Sequence, residues 1–452
     1  MSGKRADLPP AERIKSEVVP RGDDRSSFQR DRDIILYTSA FKRLSGITQV
    51  VSAHTGHVFH NRLTHSLQVA QVGRSLVEKL QKRQAILAKS LNLDPQAVEA
   101  GCLAHDLGHP PFGHIAEETL NTMVGEKAQG FEGNAQSFRI ITELAFRSPD
   151  FSGLNLTRCT LRSVLKYPWT FANRPKGKDR KKTKKWGAYG TELAAFEHAT
   201  GNQGGGPVDR AAEADLMDWA DDLTYAIHDV EDFYRAGLIP LPQLKLPRNE
   251  KESDQERDRF LNYVWSRKDK IQELDGVQQD DLGYILGDVL FAHFTIDGAY
   301  EGTQDQRARL RLFTSGMVNR YINALRLVGH RGQVRVHIDP DLRREVAILK
   351  QLTWCYVIEA PSLAIQQYAQ KNMIRYLFEV FVQESSKNPC HLLPPYYRER
   401  LKTIPLQEPH HGFGVKRMVA DLIAGMTEAQ VTAVYQRLNG IVTGSAFEEI
   451  LV

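Results

Sequence analysis

Residues 104–114 (AHDLGHPPFGH) restrict the fold of this chain more than any other stretch. The segment before them has the pattern of a helix, because Asp94 is a suitable N-cap, Pro95 fits the first helical position and apolar residues recur at helical spacing. A glycine and two consecutive prolines inside the stretch prevent the helix from continuing. The sequence therefore predicts that His105 and Asp106 lie at the end of a buried helix, with the two later histidines in the loop that follows.

A strong amphipathic helix is predicted over residues 62–82. Leucine and valine recur there at helical spacing and His65 shares their face, so its imidazole is expected to point into the core. A histidine in such a position is more often a packed core residue than a metal ligand. The histidines His54, His57 and His60 stand among glycine and asparagine, and an exposed loop explains them better than metal binding.

A third helix is predicted over residues 213–234. It carries Asp221, Tyr225 and Asp229 at positions i, i+4 and i+8, so two carboxylates and a phenol share one face. An exposed acidic stripe is the alternative interpretation. Several apolar neighbours, however, make this helix too hydrophobic to lie entirely on the surface.

These three helices would bring His65, His105, Asp106 and one aspartate of the third helix together. Two imidazoles and two carboxylates suit a divalent ion of intermediate hardness, such as Mn²⁺, Fe²⁺, Ni²⁺, Zn²⁺ or Mg²⁺. Four protein ligands on an octahedral ion leave positions for water and a phosphate oxygen. Because such an ion polarises a phosphoryl group and generates hydroxide near neutral pH, the residues favour phosphoester hydrolysis.

Composition excludes several other classes of protein. The 452 residues are 41% hydrophobic and 25% charged, which is typical of a globular protein. The net charge of +4 is too small for a protein that binds nucleic acid over its whole surface. Four cysteines without CxxC spacing are expected to be reduced thiols. Since neither a signal peptide nor a long apolar segment is present, we expect a cytoplasmic protein with no membrane partner.

The chain is predicted to be nearly all α-helical. Residues 1–30 are expected to form a flexible arm, residues 31–240 the metal-dependent core, and residues 241–452 a helical part packed on it. Residues 332–338 alternate apolar and polar side chains, so they are expected to form one strand of a small β-hairpin. The other predicted helices of the second half are 283–294, 310–328, 345–356, 363–384, 415–424 and 427–438.

Three motifs, taken in order, resemble a known family. Residues 62–65 (RLTH), 105–114 (HDLGHPPFGH) and 220–225 (ADDLTY) are similar in sequence and spacing to the HD-domain deoxynucleoside triphosphate triphosphohydrolases, the bacterial dGTPase-like enzymes. Shorter matches lie at 41–44, 49, 131–136 and 166–169. The resemblance implies hydrolysis of dNTPs, dGTP among them, to deoxynucleoside and inorganic triphosphate by attack at the α-phosphorus.

The resemblance also implies one divalent metal ion, with Mn²⁺ or Mg²⁺ first and Fe²⁺, Ni²⁺, Zn²⁺ or Co²⁺ as alternatives. The metal ligands that it implies are His65, His105, Asp106 and Asp221. Asp221 is chosen over Asp222 because the family tyrosine lies four residues after its metal aspartate, and Tyr225 fits that spacing. In the vertebrate relatives a lysine that contacts phosphate follows the metal aspartate, so here the phosphate charge must be met elsewhere.

His114 and Glu117 correspond to the catalytic histidine–acid pair of the family, which orients water or exchanges a proton at the α-phosphate. The substrate-binding residues that the resemblance implies are Gln49, Arg62, His109, Lys166, Tyr225 and Asp229. Arg62, His109 and Lys166 would contact phosphate oxygens. Lys185 in the basic segment 176–185 would do the same. Gln49 and Asp229 would lie near the deoxyribose 3′-hydroxyl, with Tyr225 against the sugar.

As partners, the resemblance implies a homo-oligomer, either a tetramer or a hexamer, and a second dNTP as activator. The alternative function is an HD-type phosphodiesterase or nuclease that acts on nucleotides or single-stranded DNA. It would use the same metal ligands, while the basic segment would follow a nucleic-acid backbone. A non-enzymatic nucleotide sensor is disfavoured, because His114 and Glu117 accompany a complete set of ligands.

Overall fold

The structure is a computed structural model that describes residues 9–49, 60–177, 183–245, 251–330, 333–407 and 410–443. Within these ranges helices dominate, and the sheet is a two-stranded antiparallel hairpin, so the predicted fold class is confirmed. The helices of the first half are α1 (Ser27–Tyr37), α2 (Ser39–Arg43), α3 (Arg62–Arg83), α4 (Ala85–Ser90), α5 (Pro95–Ala104), α6 (His114–Val124), α7 (Gly133–Arg139), α8 (Arg158–Val164), α9 (Leu193–Thr200) and α10 (Ala212–Arg235).

The second half is also helical and contains the hairpin. Its elements are α11 (Leu241–Leu244), α12 (Lys251–Ser266), α13 (Gln279–His293), α14 (Gln304–Asn323), β1 (Leu325–His330), β2 (Gln333–Ile338), α15 (Pro340–Thr353), α16 (Pro361–Glu384), α17 (Pro395–Thr403), α18 (His410–Ala424) and α19 (Glu428–Leu438). None of the helices in the described ranges combines the length and the apolar character that crossing a bilayer requires.

The helix predicted over 310–328 is wrong at its C-terminal end. The chain leaves the helix at Asn323, and Leu325 pairs with Ile338 at the start of an antiparallel ladder. Leu325 and Leu327 are buried whereas Val328 is exposed, which is the alternation of a half-buried strand. The apolar residues at 325, 327 and 328 also fit a continuing helix, so the sequence pattern was ambiguous here.

Helices α3, α5 and α10 pack against one another and carry the predicted site. Asp94 caps α5 by accepting a hydrogen bond from the backbone N–H of Gln96 at 2.7 Å, and the helix ends at Ala104, as the sequence predicts. A Cβ atom on Gly73 of α3 would lie 2.5 Å from Sγ of Cys102 in α5. The glycine therefore permits the close approach that brings these two helices together.

Part of the predicted flexible arm is bound to the core. Residues 1–8 lie outside the described residues, but Nη2 of Arg13 lies 2.7 Å from Oδ1 of buried Asp31, and its Nη1 donates to the carbonyl oxygen of Asn155 at 2.5 Å. These contacts belong to the arm predicted over residues 1–30. Its polar composition suggested disorder, but some of its charged side chains bind the core.

Side chains from the two halves of the chain share apolar clusters. Tyr234 of α10 packs edge-on against Phe294, with ring centroids 5.2 Å apart. A second cluster joins α6 to α16, α18 and α19. The part after residue 240 is therefore packed directly against the part that holds the predicted site.

A buried ion network also joins the two halves. Arg139 of α7 donates from Nε and Nη2 to the carboxylate of Asp421 in α18 at 2.9–3.1 Å, and from Nη1 to Glu192. Nε2 of Gln136 donates to the same aspartate at 2.9 Å. Arg139 and Asp421 are both buried, so each charge is stabilised by its hydrogen-bonding partners and not by water.

Arg139→Met is expected to lower the free energy of unfolding by about 3 kcal/mol or more, because two buried carboxylates lose their counter-charge. Urea unfolding followed by circular dichroism measures this loss. The matched control is Arg309→Met, which removes an exposed pair with Asp305 and is expected to leave stability near that of the wild type. Equal losses in the two variants would contradict the expectation.

Candidate active site

The four predicted metal ligands lie together where α3, α10 and the end of α5 meet. Nε2 of His65 is 3.1 Å from Oδ1 of Asp221. Nε2 of His105 is 3.4 Å from Oδ1 of Asp106 and 3.6 Å from Oδ1 of Asp221. Ligand atoms of His65, His105 and Asp106 lie within 4.8 Å of one another, so a single ion between them could contact all three.

The chemistry of this cluster fits a divalent metal ion. In its neutral form His105 donates from Nδ1 to the carbonyl oxygen of Cys102 at 2.6 Å, which turns an unprotonated Nε2 towards the cluster. This buried Nε2 has no hydrogen-bond partner among the described residues, and a metal would satisfy it. Burial lowers the pKa of His105, but without a metal ion the carboxylates of Asp106 and Asp221 raise it to about 9 and favour a protonated ring. A divalent ion would supply this positive charge instead and leave the ring neutral.

The two neighbouring aspartates of α10 have different partners. Asp221 faces the histidines, whereas Oδ1 of Asp222 accepts a hydrogen bond from Nζ of Lys350 in α15. Nζ of Lys166 lies 2.5 Å from Oδ1 of Asp218 and 3.6 Å from Oδ2 of Asp221. This geometry favours Asp221 over Asp222 as the ligand, although the choice remains a prediction.

Asp106 also contacts two of the predicted phosphate-binding residues. Nη1 of Arg62 donates to Oδ2 of Asp106 at 2.6 Å. Nδ1 of His109 lies 2.9 Å from Oδ1 of Asp106. Burial and the nearby Arg62 lower the pKa of His109 to about 4, so its ring is neutral at pH 7.

The predicted catalytic pair lies next to this cluster. Nδ1 of His114 is 2.9 Å from Oε2 of Glu117, and the rings of His109 and His114 are 5.7 Å apart. Nζ of Lys185 lies 2.7 Å from Oε1 of Glu117 and 2.9 Å from Oε1 of Glu132. Burial raises the pKa of Glu117, but Lys185 and His114 hold it well below its usual range. The His114 side chain is 74% exposed, so its ring is accessible to a substrate.

The residues predicted around the deoxyribose have polar groups without partners. Oε1 of Gln49 and Oδ2 of Asp229 are buried and have no hydrogen-bond partner among the described residues. Asp229 lies one turn after Tyr225 on the face of α10 that carries Asp221. Burial and the neighbouring Asp232 raise the pKa of Asp229 well above its usual range, which favours a protonated carboxyl that can donate a hydrogen bond.

Comparisons with known proteins agree with this geometry. Residues 62–225 match the HD domain, and residues 336–437 match the phosphohydrolase-associated domain. The deoxyguanosinetriphosphate triphosphohydrolase-like protein of Streptomyces coelicolor is 33% identical over 434 residues, which cover 92% of this chain and 93% of the relative. The chain belongs to the deoxyguanosinetriphosphate triphosphohydrolase-like family. Relatives of the same name from Corynebacterium efficiens (33% identical, 93% and 92% covered) and Shewanella sediminis (29% identical, 96% and 97% covered) also match over most of their length.

As a member of the deoxyguanosinetriphosphate triphosphohydrolase-like family, the chain is an HD-domain phosphohydrolase, and the family inferred from its motifs is confirmed. The HD-domain match begins at Arg62 and ends at Tyr225, so it includes the four predicted ligands and the catalytic pair. Gln49 and Asp229 lie just outside it. Lys350 lies inside the phosphohydrolase-associated match.

The sequence did not point to the contact of Lys350 with Asp222, which is next to the proposed ligand Asp221 in this triphosphohydrolase-like protein. Its contact with Asp222 spans 128 residues, and a lysine in an amphipathic helix ordinarily faces solvent. Conversely, Lys166 and Lys185 were predicted to hold phosphates, and the structure pairs both with carboxylates. Of the basic segment 176–185, residues 178–182 lie outside the described residues.

Among the early histidines, His54 and His57 lie outside the described residues. The interpretation of His60 as part of an exposed loop is wrong, because its side chain is only 24% exposed and its Nδ1 lies 2.5 Å from Oδ2 of Asp232. Burial lowers the pKa of His60, but the Asp232 carboxylate raises it above the ordinary value. This pair fixes the start of the segment that leads into α3.

The turn after Asp106 leaves no room for a side chain at Gly108. A Cβ atom there would lie 2.2 Å from the carbonyl oxygen of Gly133 and 2.2 Å from the backbone nitrogen of Ser137 in α7. Oγ of Ser137 donates to the carbonyl oxygen of His105 at 2.7 Å and accepts from the backbone N–H of Gly108 at 2.8 Å. The turn and its two metal-ligand candidates are thus fixed against α7.

Gly108→Ala is therefore expected to displace the turn, lowering the free energy of unfolding by about 1–3 kcal/mol and weakening metal binding. Thermal unfolding and metal titration of the purified protein measure the two effects. Gly329→Ala is the matched control, because a Cβ at Gly329 meets no atom within 4 Å. If the Gly108 variant binds metal as the wild type does, the turn does not depend on this close approach.

Proposed function

We propose that the chain hydrolyses deoxynucleoside triphosphates, dGTP among them, to deoxynucleoside and inorganic triphosphate by attack of water at the α-phosphorus. The observation that carries this proposal is the position of the His114–Glu117 pair beside the cluster of His65, His105, Asp106 and Asp221. The name shared by the relatives supports the choice of substrate. The reaction breaks the bond between the α-phosphorus and O5′, and the triphosphate leaves intact.

The residues that would hold the metal are His65, His105, Asp106 and Asp221. A divalent ion at this position polarises the phosphoryl group and lowers the pKa of water. Mn²⁺ or Mg²⁺ is proposed first, with Fe²⁺, Ni²⁺, Zn²⁺ or Co²⁺ as alternatives, since imidazole and carboxylate donors accept all of them.

His114 is proposed to transfer a proton during the reaction. Glu117 accepts the Nδ1 proton of His114 in a hydrogen bond, which leaves Nε2 to take a proton from water or, once protonated, to give one to O5′. Lys185 keeps Glu117 ionised and fixes its position. An ionised Glu117 also stabilises the positively charged imidazolium that forms on His114.

The other predicted residues are proposed to bind the substrate. Arg62 and His109 lie on either side of the Asp106 carboxylate, where a phosphate oxygen could accept a hydrogen bond from Arg62. Lys166 is proposed to assist them once substrate draws it from Asp218. Gln49 and Asp229 have unpartnered oxygens suited to the 3′-hydroxyl, and Tyr225, which lies between Asp221 and Asp229 on α10, would pack on the sugar.

A homo-oligomer, either a tetramer or a hexamer, is part of the proposal. The first half of α16 exposes Ile365 (74%) and Tyr368 (71%), apolar side chains that are suited to contact with another subunit. Activation by a second dNTP and a cytoplasmic location are likewise proposals. Binding of single-stranded DNA belongs to the alternative nuclease function.

Product analysis tests the proposed reaction. The protein is incubated with each of the four dNTPs, singly and mixed, with Mn²⁺ or Mg²⁺, and the products are separated by anion exchange. Inorganic triphosphate and deoxynucleoside are expected, and faster turnover in the mixture would indicate a second activating nucleotide. Monophosphate products, or no turnover of any dNTP, would instead favour an HD-type phosphodiesterase or nuclease.

A further inference from the structure

One carboxylate from the end of the chain holds two segments of the candidate active site. Glu428, the first residue of α19, is 7% exposed. Its Oε1 accepts hydrogen bonds from the backbone N–H of Thr48 at 2.8 Å and of Phe112 at 3.2 Å. Its Oε2 accepts a hydrogen bond from the hydroxyl of Thr48 at 2.6 Å. Both carboxylate oxygens are therefore occupied by these two segments.

Each segment carries residues of the proposed reaction. Thr48 directly precedes Gln49, which is proposed to contact the sugar, and Phe112 lies between His109 and His114. The two segments are far apart in sequence, so their spacing depends on contacts such as those of Glu428. A change at this carboxylate would alter both the sugar side and the proton-transfer side of the site.

The turn at Phe112 has a backbone conformation that requires support. Phe112 has a φ of +67° and Gly113 a φ of +58°, and a non-glycine residue in the left-handed region costs about 1 kcal/mol or more. Glu428 supplies the acceptor for the Phe112 N–H, and the Phe112 ring packs on the cluster that joins α6 to α16, α18 and α19. The second half of the chain therefore stabilises this turn.

Arg43 of α2 makes a parallel connection between the same parts. Its Nη2 donates to the carbonyl oxygens of Leu107 and His109 at 2.8 and 2.9 Å, and its Nη1 donates to that of Met426 at 3.1 Å. A Cβ atom on Gly46 would lie 2.8 Å from Cγ2 of Thr427, so the chain before Thr48 is packed tightly on the start of α19. The α18–α19 turn thus contacts both segments through several independent groups.

We propose that Glu428 is a positioning residue of the active site, through which α19 sets the spacing between the segment that carries Thr48 and Gln49 and the turn that carries His109 and His114. The inference rests on the proposed function for the roles of those residues. Glu428 itself touches no reacting atom. Its effect comes from accepting hydrogen bonds, since its partners are two backbone N–H groups and one hydroxyl.

Four variants test this proposal. Glu428→Ala removes all three hydrogen bonds, and Thr48→Val removes only the one from the hydroxyl. Glu428→Gln keeps an oxygen for the two N–H groups, while its amide can donate to the Thr48 hydroxyl. Thr432→Ala is the matched control one turn further along α19, where the hydroxyl donates only to the carbonyl oxygen of Glu428.

The expected kinetic result is specific to positioning. Glu428→Ala should raise KM for the dNTP about tenfold and lower kcat about tenfold, with unchanged metal content. Thr48→Val should show a smaller change in the same direction, and Glu428→Gln and Thr432→Ala should stay within about twofold of the wild type. A merely structural role would lower the melting temperature and the active fraction but leave KM unchanged, and this result would overturn the proposal.

Hydrogen exchange followed by mass spectrometry tests the contacts without any substrate. The amides of Thr48 and Phe112 should exchange faster in Glu428→Ala than in the wild type, and at the wild-type rate in Thr432→Ala. Unchanged exchange in Glu428→Ala would overturn the proposal even if the enzyme is active. If the wild type turns over no dNTP, the proposed function fails, and the exchange result still decides whether Glu428 holds the two segments. Should Glu428→Ala not fold, Thr48→Val carries the kinetic test, and an unchanged KM in that variant would overturn the proposal.

Discussion

Asp106→Asn is expected to lose the bound divalent metal and to lower kcat/KM for the substrate by about 1,000-fold or more, because an uncharged amide replaces a carboxylate at the centre of the cluster. The fold should survive, since the amide oxygen can still accept the hydrogen bond from Arg62. Elemental analysis of the purified variant measures the metal, and thermal unfolding confirms that the protein is folded. Full turnover by a metal-free variant would contradict the proposed site.

The two neighbouring aspartates of α10 provide a matched pair for the same experiment. Asp221→Asn should lose metal as Asp106→Asn does, because Asp221 faces His65 and His105. Asp222→Asn should retain the metal, since Asp222 pairs with Lys350 instead. The opposite outcome would assign the ligand to Asp222 and would show that the contact with Lys350 breaks when metal binds.

His114→Ala is expected to keep the wild-type metal content and to lower kcat by about 100-fold to 10,000-fold, with a smaller change in KM. The imidazole is exposed and is not one of the proposed metal ligands, but it is the group with which Glu117 forms a hydrogen bond. Its removal is therefore expected to abolish proton transfer without removing a ligand. Steady-state kinetics and elemental analysis on the same preparation separate the two effects.

Glu117→Gln is a milder substitution with which His114→Ala can be compared. The glutamine oxygen can still accept from Nδ1 of His114, so orientation is retained while the charge that stabilises the imidazolium is lost. A loss of rate smaller than that of His114→Ala is expected. If His114→Ala instead loses its metal, the division between metal ligands and the proton-transfer pair is wrong.

Local patterns in the sequence predicted the parts of the fold that depend on neighbouring residues. The cap at Asp94 and the break after Ala104 were identified because capping and helix termination involve only a few adjacent positions. The inward faces of α3 and α10 followed from periodicity. The strand at Leu325 was missed because a short apolar run fits both a helix and a strand, and only its pairing with Ile338 decides between them.

The contacts that complete the site could not be predicted in this way. Lys350 reaches Asp222 across 128 residues, and Glu428 reaches Phe112 across 316. Neither residue stands in a motif, and a charged residue in an amphipathic helix is most often solvated. Their roles depend on how the second half packs on the first, which is a property of the tertiary structure alone.

Hydrolysis in ¹⁸O-labelled water tests the central claim, attack of water at the α-phosphorus with loss of intact triphosphate, most directly. After turnover of one dNTP, mass spectrometry of the separated products locates the label. We predict one ¹⁸O atom in the inorganic triphosphate and none in the deoxynucleoside, because water bonds to the α-phosphorus while the bond to O5′ breaks. Label in the deoxynucleoside would indicate attack at the 5′ carbon, and label in a monophosphate would indicate loss of pyrophosphate; either result would contradict the account.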